Sequence, residues 1–189
     1  MKRIVLFASG SGSNVENIAQ YFHDNPEVSI SCVLSNKKDA QVFERCNRLN
    51  LNAIYFNRHS FYGSDCVLNI IKALDPDLIV LAGFLWKIPD NLIASYPDRI
   101  INIHPALLPK YGGKGMYGMY VHEAVKSNNE TETGITIHYV NENYDEGAII
   151  KQAKVALSPT DTPDMIAEKV HRLEYEHFPK VIEQVLMGT

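Results

Sequence analysis

Cysteine is scarce in this chain: Cys32, Cys46 and Cys66 are the only three in 189 residues, widely spaced and with no CxxC pair. So odd and scattered a set excludes a disulfide framework or a zinc ribbon and fits a reducing, cytoplasmic setting. An excess of basic residues is missing too. With 18 Lys and Arg against 22 Asp and Glu the net charge is -4, so nothing general draws the chain to phosphate backbones and no nucleic-acid partner is expected. Any anion site has to be local. No apolar run approaches the roughly 20 residues that cross a bilayer. The apolar start at 4–8 is too short for a secretory leader and meets a Gly/Ser turn at once, so no membrane contact is expected either. His23, His59, His122, His171 and His177 have no partner at a metal-ligand spacing, and no metal is predicted.

What is present is an ordinary globular composition, 46% hydrophobic and 21% charged, at a length that suits a single domain over 1–189 with a proper core. Short runs rich in β-branched residues alternate with helix-like segments, the pattern of βαβ units and a largely parallel sheet. The fold class is α/β. Strands are predicted over 4–8, 28–34, 53–56, 78–82, 100–104, 134–140 and 148–157. Helices are predicted over 14–22, 40–49, 64–74, 89–95, 121–127 and 160–186. The run 78–82 is apolar on both faces, which places it centrally. Within 64–74, Val67, Ile70, Ile71 and Leu74 make one apolar side.

The most informative stretch begins at Ile100 and carries Asn102 and His104 at alternate positions before Pro105 ends it. Residues two apart on a strand share a face, so a carboxamide and an imidazole stand side by side where the strand stops. That pair suits a carbonyl turning into an oxyanion; a core Asn and His satisfied by backbone would look the same. Ser9-Gly10-Ser11-Gly12-Ser13-Asn14 follows the first strand and opens a helix, where free N–H groups and the helix dipole make an anion site. It lacks the third glycine and the later acid of a dinucleotide fingerprint and the Gly-Lys-Ser/Thr of a triphosphate loop. One phosphate on a small molecule fits better, with an empty capped turn as the plain alternative. Gly83, Leu85, Trp86, Lys87 and Ile88 follow the central strand, where ligands of open α/β sheets lie; a flat heterocycle fits there, or Phe84 and Trp86 are core. Asp145, in the polar loop with Asn141, Glu142, Asn143 and Tyr144, is expected to raise the His104 pKa if the loop folds inward. Thr136 and His138 share a strand face and are candidates to line the site, with a hydrogen-bonded sheet histidine as the equal alternative for His138.

Taken together, the Gly-Ser-Gly-Ser-Asn turn, Ala82-Gly83-Phe84, the run from Asn102 through His104-Pro105-Ala106-Leu107-Leu108-Pro109 to Tyr111, and the Asp145 loop resemble the phosphoribosylglycinamide formyltransferases, folate-dependent enzymes of purine synthesis. The resemblance spans nearly the whole chain and implies a Rossmann-like, mostly parallel seven-stranded sheet with helices on both faces. It implies 10-formyltetrahydrofolate as formyl donor and co-substrate, small-molecule substrates only, and Asn102, His104 and Asp145 as the catalytic trio. The substrate phosphate would sit on Gly12, Ser13, Asn14, Val15 and Glu16, with Gly83 nearby and Glu174 on the ribose hydroxyls. Folate would lie along Leu85, Trp86, Lys87 and Ile88, by Asn102, and along Asn141, Glu142, Asn143 and Tyr144. Monomer and homodimer are both compatible. The chain departs from the family where Trp86 replaces an arginine, where a second arginine is missing near Ser60, and in a longer glycine-rich stretch at 112–118. Two relatives with the same catalytic run, a tRNA formyltransferase and a formyltetrahydrofolate hydrolase, need extensions that are not apparent here. A non-catalytic phosphate- or nucleotide-binding module would keep the turn without requiring the trio to meet.

Overall fold

A computed structural model describes residues 1–188. The first elements in chain order are β1 (Lys2–Ala8), α1 (Ser13–Tyr21), β2 (Val28–Ser35), α2 (Val42–Arg48), β3 (Ala53–Tyr55), α3 (Cys66–Leu74), β4 (Leu78–Leu81) and α4 (Asp90–Ser95). They are followed by β5 (Ile100–His104), α5 (Met119–Ser127), β6 (Glu132–Tyr139), β7 (Ile149–Ala156) and α6 (Pro163–Met187). The seven strands form one sheet in the order β3-β2-β1-β4-β5-β6-β7. β1 pairs in parallel with β2 and β4, and β2 with β3, while β6 and β7 form an antiparallel pair. This is the mostly parallel seven-stranded α/β sheet predicted, with 78–82 at its centre. β1 from Ile4 onward and all of β4 are buried residue after residue, as happens when both faces of a sheet are covered. No helix among the described residues is long and apolar enough to cross a membrane.

The chain clusters into two compact units, Met1–Ile101 with the last residues from Val185, and Asn102–Gln184. β1 lies between β2 and β4; the connection leaving β1 runs to β2 and the one leaving β4 runs the other way, to β5, which makes the gap between β1 and β4 the switch point at which open α/β sheets bind ligands. A five-residue π-helical turn, His59–Gly63, was not predicted. It carries Phe61 into a ring cluster with Phe7, Phe56 and Phe84, which shifts the start of α3 to Cys66. In the second unit Thr136 faces Gln152 across β6 and β7. Gly134 is fixed by space, because a Cβ there would lie 1.9 Å from the Ala153 carbonyl oxygen. α6 begins at Pro163, a position where the missing N–H removes no helical bond.

Candidate active site

In the first unit the turn after β1 is held from its neighbours. The Ser9 N–H donates to the Gly83 carbonyl at 3.0 Å, and the Leu85 N–H donates to Ser9 Oγ at 2.9 Å. Since Oγ accepts there, its own hydrogen goes to Asn36 Oδ1 at 2.7 Å. Gly12 precedes α1 with φ 76 and no side-chain cap. A Cβ on it would lie 2.5 Å from Val42 Cγ2 and 2.9 Å from Val42 Cα, so conformation and packing both demand glycine. The Ser13 N–H lies 3.4 Å from Ser11 Oγ and the Glu16 N–H donates to the Gly12 carbonyl at 2.9 Å, so the amino-terminal, positive dipole end of α1 opens at this turn. The Glu16 carboxylate is engaged by Arg45 and Arg48, and Arg45 Nε also donates to the Ser11 carbonyl at 2.8 Å. Two guanidinium groups against one carboxylate leave this turn locally positive in an acidic chain. Ser13 opens the helix, while Asn14 and Val15 are buried behind it.

Gly83 takes φ 77 with open space around it, so its need is conformational. Beyond it Leu85 is exposed, Trp86 and Lys87 are half-buried and the Ile88 side chain is core. Trp86 packs edge-on to Phe56, and Arg58 lies 5.0 Å from the Tyr62 ring centroid and 5.7 Å from that of Trp86. Phe84 is buried and the indole packs at the edge of the same ring cluster, the core reading of the two, while its face also carries the Arg58 cation.

In the second unit the residues read from sequence meet. His104 Nδ1 lies 3.5 Å from Asp145 Oδ2, and His138 Nε2 lies 3.6 Å from Asp145 Oδ1. Asn102 Nδ2 donates to His138 Nε2 at 3.1 Å. Carbonyl oxygens fix both tautomers, because they only accept. His104 Nε2 is 2.7 Å from the Tyr111 carbonyl and His138 Nδ1 is 2.8 Å from that of Tyr139, so these nitrogens carry the hydrogens. In the neutral rings the two nitrogens facing Asp145 are therefore bare. The Gly113 N–H donates to Asp145 Oδ2 at 2.9 Å.

Burial decides the charge of this cluster. The His104 ring is 3% exposed, and desolvation pulls its pKa below the ordinary histidine value, outweighing the upward effect of Asp145 and of the Tyr111 carbonyl. The expected rise is thus corrected to a fall. Burial pushes the Asp145 carboxyl up, but the facing His138 ring, the nearby His104 and the Gly113 N–H together hold it below the usual carboxylate range. Asp145 is therefore the member of the cluster that favours its charge, and His104 the ring that burial turns against protonation.

Thr136, a candidate lining residue, does not turn its hydroxyl outward. Fully buried, it donates to the Ala106 carbonyl at 2.7 Å and accepts from the Leu108 N–H at 3.0 Å and Gln152 Nε2 at 2.9 Å. It braces the chain just after His104, where Leu108-Pro109 is cis. His138 joins the cluster itself, which the sequence marked only through its shared face with Thr136. Asn141 is half-buried, and Glu142, Asn143 and Tyr144 are exposed on the loop before Asp145. Glu174, 6% exposed, is buried on α6. Among the described residues no group of three or more His, Cys, Asp or Glu side chains is arranged to hold a metal ion. The backbone groups of Tyr111 and Gly113 were missed, since no side-chain pattern announces them.

Comparison with known proteins gives the family. Residues 2–182 match the family described as formyl transferase. The phosphoribosylglycinamide formyltransferase of Bacillus subtilis (strain 168) is 34% identical over 191 residues, covering 98% of this chain and 95% of its own. The chloroplastic phosphoribosylglycinamide formyltransferase of Arabidopsis thaliana is 35% identical over 187 residues, 96% of this chain but 64% of that longer protein. The crystal structure of glycinamide ribonucleotide transformylase 1 from Symbiobacterium toebii superposes with a TM-score of 0.91 at 28% identity, covering 100% of this chain and 89% of that one. A family match across nearly every residue, on the sheet expected for it, settles the kinship: this chain belongs to the formyl transferase family.

Proposed function

We propose that the chain transfers the formyl group of 10-formyltetrahydrofolate to the amine of 5-phosphoribosylglycinamide, within a single formyltransferase domain. One observation carries the chemistry: the Asp145 carboxylate faces a ring nitrogen of each of two buried histidines, so a proton arriving at His104 Nδ1 is met by a carboxylate. The substrate phosphate is held by the Gly12 to Asn14 turn, whose N–H groups and paired arginines suit one anion. The folate donor is assigned to Leu85, Trp86 and Lys87 and to the Asn141 to Tyr144 loop.

The neutral amine attacks the formyl carbon, a C–N bond forms, and the carbonyl oxygen becomes an oxyanion. Asn102 has two N–H donors; His138 holds one and so orients the other toward that oxygen. His104 Nδ1, backed by Asp145, takes the proton released by the attacking nitrogen, and the imidazolium then stabilises the oxyanion by charge. The proton passes to N10 of the folate as the C–N10 bond breaks. His104 thus rests neutral and becomes charged only while negative charge exists beside it, a preorganised response of the kind that lowers barriers in a dry site.

The test mixes 10-formyltetrahydrofolate with the protein, with and without glycinamide ribonucleotide. Deformylation only in the presence of the amine, with a formylated product, supports transfer. Release of formate without the amine would make the chain a hydrolase, and no turnover in either mixture would leave a binding module.

A further inference from the structure

Tyr111 occupies the left-handed region at φ 57, which a non-glycine residue keeps only where its surroundings hold it. Here it is held at both ends. Its carbonyl takes the hydrogen of His104 Nε2 at 2.7 Å, and two residues on the Gly113 N–H binds Asp145 Oδ2 at 2.9 Å. This short stretch therefore fixes from the backbone both groups of the proton pair. At its other end the Tyr111 hydroxyl donates to Glu130 Oε1 at 2.9 Å, and Lys110 Nζ reaches the same oxygen at 2.8 Å. The lysine arm is 66% exposed, where an ion pair is worth little and salt screens it. The tyrosine arm belongs to a half-buried ring and is the one that can carry position inward.

Resting on the formyl-transfer reading above, we propose that Glu130 is a positioning residue for the reaction: by anchoring the Tyr111 hydroxyl it keeps the Tyr111 carbonyl aimed at His104, and so keeps Nδ1 of His104 turned to Asp145. Glu130 touches none of the reacting groups itself. Its effect passes through one side chain and one peptide unit.

The experiment compares Glu130→Ala, Glu130→Gln and Tyr111→Phe with the parent chain. Removing one such hydrogen bond is expected to lower kcat roughly 3- to 10-fold with KM little changed, and the double variant Tyr111→Phe/Glu130→Ala should be no worse than either single one. Glu130→Gln keeps an oxygen for the tyrosine hydroxyl while losing the lysine pair, so it should recover most of the turnover. NMR titration of the His104 ring, followed without substrates, should shift in Glu130→Ala and Tyr111→Phe but not in Glu130→Gln. A Glu130→Ala protein that melts lower yet titrates His104 as the parent does would overturn the proposal and leave Glu130 a surface anchor only. Because the titration needs no turnover, a parent chain unable to transfer formyl groups would be recognised separately from a failure of the Glu130 anchor.

Discussion

Thr136→Val tests whether the stretch after His104 is held by polar or by apolar forces. The substitution keeps the shape of the side chain and replaces its hydroxyl by a methyl group in a fully buried position. Gln152 Nε2 retains the Leu108 carbonyl at 3.0 Å, but the Leu108 N–H and the Ala106 carbonyl lose their partner. An orphaned buried donor costs about 1–3 kcal/mol and a carbonyl with its second lone pair somewhat less, against about 0.8 kcal/mol gained from the methyl group. The net loss is about 2–3 kcal/mol, or roughly 5–10 °C in melting temperature for a chain of this size. Thr136→Ser keeps the hydroxyl and loses one methyl, about 1 kcal/mol. The expected order of thermal midpoints is parent, Ser, then Val, measured by calorimetry at neutral pH. Were apolar burial the dominant force, Val would melt highest and Ser lowest; that order would refute the assigned brace.

Three further outcomes are expected. Asp145→Asn should lower turnover on the order of 10²-fold or more with the fold retained; by removing the charge that pushes the His104 pKa up it should move the imidazole titration further below 6.5. A His104 titration identical to the parent's would remove Asp145 from that role. His122, whose buried Nδ1 has no hydrogen-bond partner among the described residues, has its pKa depressed to about 4, chiefly by desolvation. The unfolded chain then binds the extra proton first, so stability is full above about pH 6.5 and falls as pH drops toward about 4. His122→Leu should remove about 2–3 kcal/mol of that acid loss near pH 4.5 in urea titrations; an unchanged drop would absolve His122. Gly12→Ala meets Val42 and a left-handed backbone, so it should cost about 2–4 kcal/mol and raise KM for the phosphorylated substrate more than it lowers kcat. An unshifted KM would detach the turn from phosphate binding.

The parts of this molecule legible in its sequence are those whose signal is local. Apolar runs such as 78–82 announce a buried strand because every residue must be apolar when both faces are covered, and β4 is indeed central. Asn102 and His104 were legible because a strand shows its alternation residue by residue. Gly12 was legible as a glycine in a turn, although the reason only packing reveals is the first residue of α2. The π-helical turn at His59–Gly63 was not legible, since its driving force is the burial of Phe61 among rings from distant parts of the chain. His138 was visible only as a histidine on the right face, and nothing local says that its strand brings it to Asn102.

The sign of the His104 shift shows where sequence reasoning ends for a different reason. A nearby carboxylate raises a histidine pKa and desolvation lowers it, and which prevails depends on how dry the ring is. At 3% exposure desolvation wins, yet Asp145 stays ionised because two histidines and a backbone N–H face it. A permanently charged imidazolium would satisfy Asp145 at rest and leave no acceptor for the proton that an attacking amine must lose. A neutral ring with its bare Nδ1 turned to a carboxylate is the better starting point, because the proton arrives where both groups favour it, at the moment when an oxyanion forms. For that to work the ring must not turn over, and the fixed point is the Tyr111 carbonyl, whose grip on Nε2 leaves Nδ1 to the chemistry.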